Sequence, residues 1–139
     1  MGPAAPSETL CVFCEIVSGR SPAYKVYEDE KNVAFLDLFP FTKGHLLVVP
    51  KVHVPRLTDL PESEYQSFLR AVSTVCRRVE RISQDYNIAL NQGARAGQIV
   101  FHLHFHVIPR YDNENPFGTD RPRLEAGEAA DLVAALSAP

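Results

Sequence analysis

Three of the chain's five histidines occupy alternate positions within Val100–Arg110. In a β-strand, successive side chains point to opposite faces of the sheet. We therefore expect a strand over this segment that carries His102, His104 and His106 on one face. A single histidine on a strand is most often an idle, partly exposed residue, but three on one face favour a shared chemical role. The opposite face of the expected strand is apolar and consists of Phe101, Leu103, Phe105 and Val107.

Two kinds of chemistry fit a row of imidazoles. The first is a catalytic zinc ion, but the first and third histidines of such a strand lie ~13 Å apart, since alternate residues are separated by ~6.6 Å. A tetrahedral ion with bonds of ~2.1 Å therefore binds two of them more readily than all three. The second is nucleophilic catalysis at phosphorus, because a neutral imidazole with a pKa of ~6.5 is nucleophilic near neutral pH. The loop Gln92–Gln98 contains two glycines, which allow backbone amides to approach a phosphate and favour this second chemistry.

A Cys-x₂-Cys pair, Cys11 and Cys14, precedes the rest of the chain's motifs. Such a pair is the usual first half of a zinc site, and His53 is a candidate for the second half. The alternative is that both cysteines are small core residues, as free thiols often are. The total of three cysteines predicts no disulfide framework and a reducing, cytoplasmic setting, with the nucleus also open to a eukaryotic protein.

The strands that must position these residues follow from β-prone runs bounded by turn residues. Besides the histidine segment, strands are predicted over Ala23–Glu28, Asn32–Asp37, Gly44–Pro50 and Asn87–Asn91. They outnumber the helices and adjoin one another through short connections, which predicts an α+β fold with an antiparallel sheet.

One long helix is predicted from apolar residues at steps of three and four, with Asp59 as its cap and Pro61 at its start. This helix is expected to cover the sheet. Short helices are expected over Cys11–Val17 and Leu124–Ala138. The apolar stripe of the long helix consists of Tyr65, Phe68, Leu69, Val72, Val75, Cys76, Val79 and Ile82.

Length and charge exclude several classes of protein. A chain of 139 residues fits one domain with one core. The net charge of −3 and the lack of a basic block argue against direct nucleic-acid binding. No apolar run approaches the ~20 residues of a membrane span. We expect residues 1–10 to form a flexible tail and residues 11–139 a single domain, with a C-terminal extension from about residue 111.

The segment His102–Ile108 resembles the signature of the histidine triad (HIT) family, His-φ-His-φ-His-φ-φ, where φ is apolar. The similarity extends from about Cys11 to Arg110. Within the family, the chain looks most like the Hint-like branch of the microbial, zinc-containing type. His106 argues against the uridylyltransferase relatives, which carry glutamine at that position. Four further blocks resemble the family in the same order: Phe-Cys-Glu-Ile at 13–16, Ala-Phe-Leu-Asp at 34–37, Gly-His-Leu-Leu-Val-Val-Pro-Lys at 44–51, and Gly-Gln at 97–98.

The resemblance implies both a fold and an activity. The fold is a HIT-like antiparallel sheet of about five strands with one long covering helix and short terminal helices. The activity is release of a nucleoside monophosphate, with AMP the expected product, from purine nucleoside phosphoramidates or similar adenylylated compounds through a covalent nucleotidyl-histidine. Fhit-like cleavage of dinucleoside polyphosphates and a nucleotide-binding regulatory role with little turnover are the alternatives. The resemblance also implies a homodimer that acts on a small-molecule nucleotide, without a membrane partner and without a cofactor for the chemistry.

The resemblance also assigns the site residues. His104 is the nucleophile, His106 contacts the scissile phosphate or the leaving group, and His45 supports the row. Asp37 accepts the ribose hydroxyls, a contact that a carboxylate makes well. The phosphate is bound by Asn91, Gly97, Gln98 and the amide of Ile99, and the purine is walled by Val12, Phe13, Ile16, Phe35, Leu36 and Leu38.

The resemblance also assigns the zinc ligands, and the chain departs from the family pattern at one position. The resemblance assigns zinc to Cys11, Cys14, His53 and His102, and an ion with four protein ligands is structural. Ile99 departs from the family pattern, because many Hint-like members carry a small hydroxyl residue there. A side-chain contact to phosphate is therefore missing at this position.

Overall fold

The computed structural model describes residues 11–112 and 121–139. The predicted tail at 1–10 and positions 113–120 of the predicted C-terminal extension lie outside these residues. Among the helices that are described, none combines the length and the apolar character needed to cross a membrane. The helices and strands in chain order are α1 (Val12–Val17), β1 (Lys25–Glu28), β2 (Asn32–Leu36), β3 (Leu46–Pro50), α2 (Tyr65–Val79), β4 (Asp85–Ala89), β5 (Phe105–Arg110) and α3 (Ala126–Ser137).

The five strands form one sheet in the order β1-β2-β3-β5-β4, and every neighbouring pair is antiparallel. The predicted α+β class and five-stranded antiparallel sheet are thus confirmed. All residues of β2 and β3 are buried. Because both faces of these strands are covered, β3 reads in the sequence as a continuous apolar run rather than as an alternation.

Side-chain alternation along the strands divides the core into two layers. One layer packs against α1 and includes Val33, Phe35, Leu47 and Val49. The other packs against α2 and α3 and includes Ala34, Leu36, Leu46 and Val48. In the β3–β5 register, Leu47 is opposite His106 and Leu46 is opposite Val107. His106 therefore lies on the α1 side of the sheet, and its neighbour Val107 belongs to the core beneath α2.

The long helix differs from its prediction at the N-terminal end. Asp59 lies in a separate 3₁₀ turn, Leu57–Asp59, and does not cap α2. Pro61 precedes a second 3₁₀ turn, Glu62–Glu64, which leads directly into α2. Of the predicted stripe, Tyr65 and Leu69 are exposed, whereas the five residues from Phe68 to Val79 that face the sheet are buried. The apolar stripe is therefore wider than the surface that the sheet covers.

The histidine strand is shorter than predicted. β5 begins at Phe105, so His106 is the only one of the three histidines inside the strand. Pairing with β3 ends at Phe105, and the preceding Leu103 N–H instead donates to the Val54 carbonyl, 2.7 Å away, in the loop after β3. The three imidazoles consequently do not share one face of a strand. β4 also begins at Asp85 rather than at Asn87.

Candidate active site

A cavity of about 590 Å³ opens on the α1 side of the sheet, a size typical of small-molecule sites. His104 and His106 line it. Ten of the predicted nucleotide-binding residues line it as well: Val12, Phe13, Ile16, Phe35, Leu36, Asp37, Leu38, Asn91, Gly97 and Ile99. The sequence carries no local signal for the other lining residues, which are Pro22, Ala23, Phe39, Phe41, Leu47, Val100 and Arg121.

His104 has one ring nitrogen held by the backbone. Its Nδ1 lies 2.7 Å from the carbonyl oxygen of His102. A carbonyl only accepts hydrogen bonds, so Nδ1 carries the proton and Nε2 carries the lone pair. The ring of Phe13 packs edge-on against the imidazole at 5.0 Å between centroids. His104 therefore presents a fixed imidazole whose free Nε2 has the electron pair that a nucleophile needs.

His106 is held in the opposite tautomer by His45. The Phe41 N–H donates to His45 Nδ1 at 3.0 Å, which leaves the proton of the neutral His45 ring on Nε2. That Nε2 lies 2.9 Å from His106 Nδ1, so His106 Nδ1 accepts and His106 Nε2 carries a proton. His45 does not line the cavity and reaches the site through its hydrogen bond to His106. The site thus pairs a lone pair on His104 with a proton on His106.

Burial keeps this hydrogen-bonded chain neutral. It lowers the pKa of His45 to about 2, an effect to which the neighbouring His106, Arg121 and His104 add. It lowers the pKa of His106 to about 4, with His104 and Arg121 contributing in the same direction. Burial also lowers the pKa of His104. At neutral pH, His45 and His106 are therefore uncharged, as the hydrogen bond between them requires.

Asp37 lies at the edge of the cavity with both carboxylate oxygens engaged. Oδ1 accepts from the Phe39 N–H at 2.8 Å, and Oδ2 lies 3.5 Å from Arg121 Nη2 and 3.7 Å from His45 Nε2. Asp37, His45 and His106 are close enough to hold a metal ion. However, the Phe41 N–H occupies the lone pair of His45 Nδ1, so its Nε2 carries a proton and is no metal donor. A hydrogen-bonded network explains this group better than a metal site does.

Gln98 has a different place from the one expected for a phosphate ligand. Its side chain is buried and does not line the cavity. Oε1 accepts from the Gly93 N–H at 2.8 Å, and Nε2 donates to the carbonyls of Pro55 and Val100 at 2.8 and 3.1 Å. These bonds fasten the loop Gln92–Gln98 to the segments that carry Pro55 and Val100. Gly97 has φ +93°, a conformation that favours glycine, at the point where the loop meets the cavity.

A second cluster, on the α1 side of the same segment, joins the two cysteines to two histidines. His53 Nδ1 lies 3.2 Å from Cys14 Sγ, and His102 Nδ1 lies 3.5 Å from Cys11 Sγ and 3.6 Å from Cys14 Sγ. Bonds of ~2.3 Å from zinc to sulfur and ~2.1 Å from zinc to nitrogen put those ligand atoms about 3.6 Å apart in a tetrahedron. The distances in the structure therefore fit a tetrahedral ion at the centre of the cluster.

The ring of His102 is oriented for such a site. Its Nε2 lies 2.7 Å from the Pro50 carbonyl, which makes Nε2 the protonated nitrogen and leaves the lone pair of Nδ1 facing both sulfurs. Cys11 is also the N-cap of α1, where its Sγ accepts from the Cys14 N–H at 3.4 Å. The four ligand atoms all lie within 4.8 Å of one another. This cluster is the one in the described residues whose donor atoms are ready for a metal.

Comparison with known proteins decides the family. The HIT domain family matches residues 18–113. The chain belongs to the HIT family. An uncharacterized HIT-like protein of Methanocaldococcus jannaschii is 46% identical to this HIT protein over 106 residues, which are 76% of this chain and 82% of the relative. The adenylylsulfatase HINT3 of Arabidopsis thaliana is 35% identical over 132 residues, or 91% of this chain and 67% of the relative.

A solved structure shows the same fold as this HIT protein. It is a zinc-bound histidine triad family protein from Mycobacterium smegmatis, with a TM-score of 0.77 and 40% sequence identity. The similarity covers 94% of this chain and 95% of that one. The Hint-like microbial branch that the sequence indicated is consistent with these relatives.

Proposed function

We propose that this HIT protein is a nucleotide hydrolase that releases AMP from adenosine phosphoramidates and similar adenylylated compounds. The observation that carries the proposal is the opposed pair of tautomers in the cavity. Backbone contacts leave the lone pair on His104 Nε2, and His45 leaves a proton on His106 Nε2. The imidazole ring centroids of His104 and His106 are 5.0 Å apart. A nucleophile and a proton donor so arranged suit attack on phosphorus with assistance to the leaving group.

The cavity suits a purine nucleotide in a single orientation. Its apolar walls accept the base, with Phe13 and Phe35 meeting edge to face at 5.4 Å. Asp37 at its edge accepts the ribose hydroxyls, and Asn91 with the backbone at Gly97 and Ile99 lies toward the phosphate. A nucleotide bound in this order would present its phosphorus to the two histidines, since base, sugar and phosphate have a fixed sequence in the ligand.

The reaction balances in two steps. In the first, a bond forms between His104 Nε2 and phosphorus while the bond from phosphorus to the leaving nitrogen breaks. The electron pair departs with that nitrogen, which accepts a hydrogen bond from the Nε2–H of the neutral His106 and takes a proton from a solvent water, leaving hydroxide. In the second, hydroxide attacks phosphorus and the bond from phosphorus to His104 breaks, which restores the neutral imidazole. AMP and the free amine are the products.

We propose that Cys11, Cys14, His53 and His102 hold a structural zinc ion. The fit of the sulfur-to-nitrogen distances to a tetrahedron supports this assignment, as does the zinc bound by the related mycobacterial protein. Four protein ligands leave no coordination position for substrate. The bound ion would supply a cross-link between α1, the loop after β3 and the segment that carries His104.

Adenylyl sulfate is a second candidate substrate, favoured by the Arabidopsis relative, whose name describes an adenylylsulfatase. It differs from a phosphoramidate only in the leaving group, so the covalent step on His104 is the same. Rates measured side by side on adenosine phosphoramidate, adenylyl sulfate and a dinucleoside triphosphate would rank the leaving groups. We expect the phosphoramidate to react fastest.

The covalent intermediate provides the test. Rapid mixing with adenosine phosphoramidate, acid-free quenching and mass spectrometry should show an adenylyl adduct whose peptide maps to His104. His104→Ala should form no adduct and lose activity by about 10⁴-fold or more.

His106→Asn is the matched comparison for that experiment. It retains the nucleophile, so the adduct should still form on residue 104, but more slowly. Undiminished turnover by His104→Ala, or an adduct mapped to another residue, would refute the proposed mechanism.

A further inference from the structure

The segment 121–124, which lies outside every sequence motif described above, runs along the loop between β2 and β3. The Leu124 N–H donates to the Leu38 carbonyl at 2.8 Å, and Arg121 Nε donates to the Phe39 carbonyl at 2.7 Å. Two consecutive carbonyls of the loop thus accept hydrogen bonds from the segment 121–124. The same loop carries Asp37 and Phe41, which line the cavity. The segment is therefore part of the scaffold of the active site.

Arg121 reaches from this segment to the site itself. Its guanidinium carbon lies 3.7 Å from the centroid of the Phe41 ring, a stacking contact that arginine makes well. Its Nη2 lies 3.5 Å from Asp37 Oδ2. Phe41 also contacts His45, whose imidazole stacks on the phenyl ring at 5.5 Å between centroids with an interplanar angle of 15°. Contacts thus lead from Arg121 through Phe41 and His45 to the hydrogen bond with His106.

Arg121 contacts the groups that orient Asp37 and His45. Asp37 has its Oδ1 fixed by the Phe39 N–H, and its second oxygen lies 3.5 Å from Arg121 and 3.7 Å from His45, so Arg121 is the nearer of the two groups that orient it. His45 has its Nδ1 fixed by the Phe41 N–H, so the Phe41 ring on which Arg121 lies determines the plane of the imidazole. The guanidinium side chain is 29% exposed, and three of its contacts are with the loop that bears these groups.

We infer that Arg121 is a positioning residue that orients Asp37 for the ribose and holds the His45–His106 pair in place. This inference rests on the proposed function, because it assigns Asp37 and His106 their roles toward the nucleotide. Arg121 acts through these two groups and through the Phe41 ring rather than by reacting. It therefore determines nucleotide affinity and the pH range over which the histidine pair stays neutral.

The charges around the histidine pair determine the sign of the pH effect. His45 and His106 face each other, His104, Arg121 and the carboxylate of Asp37. Within this group, Arg121 is the permanent cation, and it disfavours a second positive charge on either imidazole. Removing it should raise the pKa of both histidines. The acidic limb of the pH–rate profile should then move to higher pH.

Two substitutions separate orientation from charge. Arg121→Gln removes the cation and the stacked plane, so the dissociation constant for AMP should rise about tenfold and the acidic limb should move up by about 0.5 or more. Arg121→Lys keeps the charge but not the planar fork, so the limb should stay at the wild-type position while affinity falls about threefold. Arg123→Gln is the matched control. The Arg123 guanidinium lies 5.7 Å from the centroid of the Phe39 ring, and among the described residues Asp37 and His45 form their ion pairs with other partners.

The readouts are AMP binding by calorimetry, the pH profile of kcat/KM on adenosine phosphoramidate, and NMR titration of the His106 ring nitrogens. Wild-type affinity and an unmoved acidic limb in Arg121→Gln would overturn the inference, as would equal losses in the Arg123→Gln control. Because binding and the NMR titration do not depend on turnover, they test Arg121 even if the wild-type protein forms no adduct. Failure of the proposed function would instead appear as a missing adduct in the wild-type protein.

Discussion

Metal removal from the Cys11, Cys14, His53 and His102 cluster should destabilise the whole domain. The ligands come from α1, the loop after β3 and the segment before β5, and Cys11 is 91 residues from His102. An ion that binds the folded chain alone, and is present at about 1,000 times its dissociation constant, stabilises that chain by about 4 kcal/mol. Domains of 150–250 residues lose about 2–4 °C of unfolding midpoint per kcal/mol, and smaller domains lose more. The midpoint of thermal unfolding of this chain should therefore fall by at least about 8 °C.

Cys14→Ser is the substitution that should reproduce chelation. Cys14 Sγ lies 3.2 Å from His53 Nδ1 and 3.6 Å from His102 Nδ1. The substitution therefore removes the sulfur ligand that is close to both histidines. Cys76→Ala is the control, because Cys76 lies on α2 and is buried in the other core layer. This control should lose its own packing but still respond to a chelator as the wild type does.

Calorimetric scans with and without a chelator, together with elemental analysis, make the measurement. We expect close to one zinc ion per chain, a large fall of the midpoint in the wild type, and no further fall in Cys14→Ser. The reasoning would be refuted by less than about half a zinc ion per carefully purified chain. An unfolding midpoint that a chelator leaves unchanged would refute it as well.

Three further predictions concern acid stability, the Gly-rich loop and assembly. The pKa values of His45 and His106 are lowered to about 2 and about 4 in the folded chain, from ~6.5 in the unfolded chain. Their contribution to stability is therefore complete above pH ~6.5 and is lost as the pH falls from ~6.5 towards the folded values. Urea titrations should show each imidazole costing about 1.4 kcal/mol per pH unit in this range, and His106→Asn should have the shallower pH dependence. Gln98→Ala should lower the free energy of unfolding by about 1–3 kcal/mol and weaken AMP binding, because buried partners lose their bonds, whereas the surface substitution Gln84→Ala should do neither. We propose that the chain is a homodimer that covers the 64% exposed Leu69, so sedimentation should show a dimer that Leu69→Glu converts to a monomer.

Much of the fold can be predicted from local sequence, because the type of most strands and helices follows from the pattern of apolar residues within a short stretch of the chain. The apolar run of β3 and the three-to-four periodicity of α2 both predict the observed elements. The boundaries were less accurate where tertiary contacts override periodicity. The segment before β5 has the alternation of a strand, yet Leu103 bonds to Val54, so the ladder stops at Phe105. Likewise, Leu69 fits the apolar stripe of α2, but the sheet does not cover it and its side chain is exposed.

The sequence by itself determined which residues are candidates for the chemistry: the alternating histidines, the paired cysteines and the apolar residues around them all lie within short stretches of the chain. Only the tertiary structure decided which groups each of them contacts. The tautomers of His104 and His106 depend on a carbonyl and on His45, which is 61 residues from His106. Arg121 has no motif, and it reaches Asp37 from 84 residues away. Such contacts depend on how the whole chain packs, and no local pattern records them.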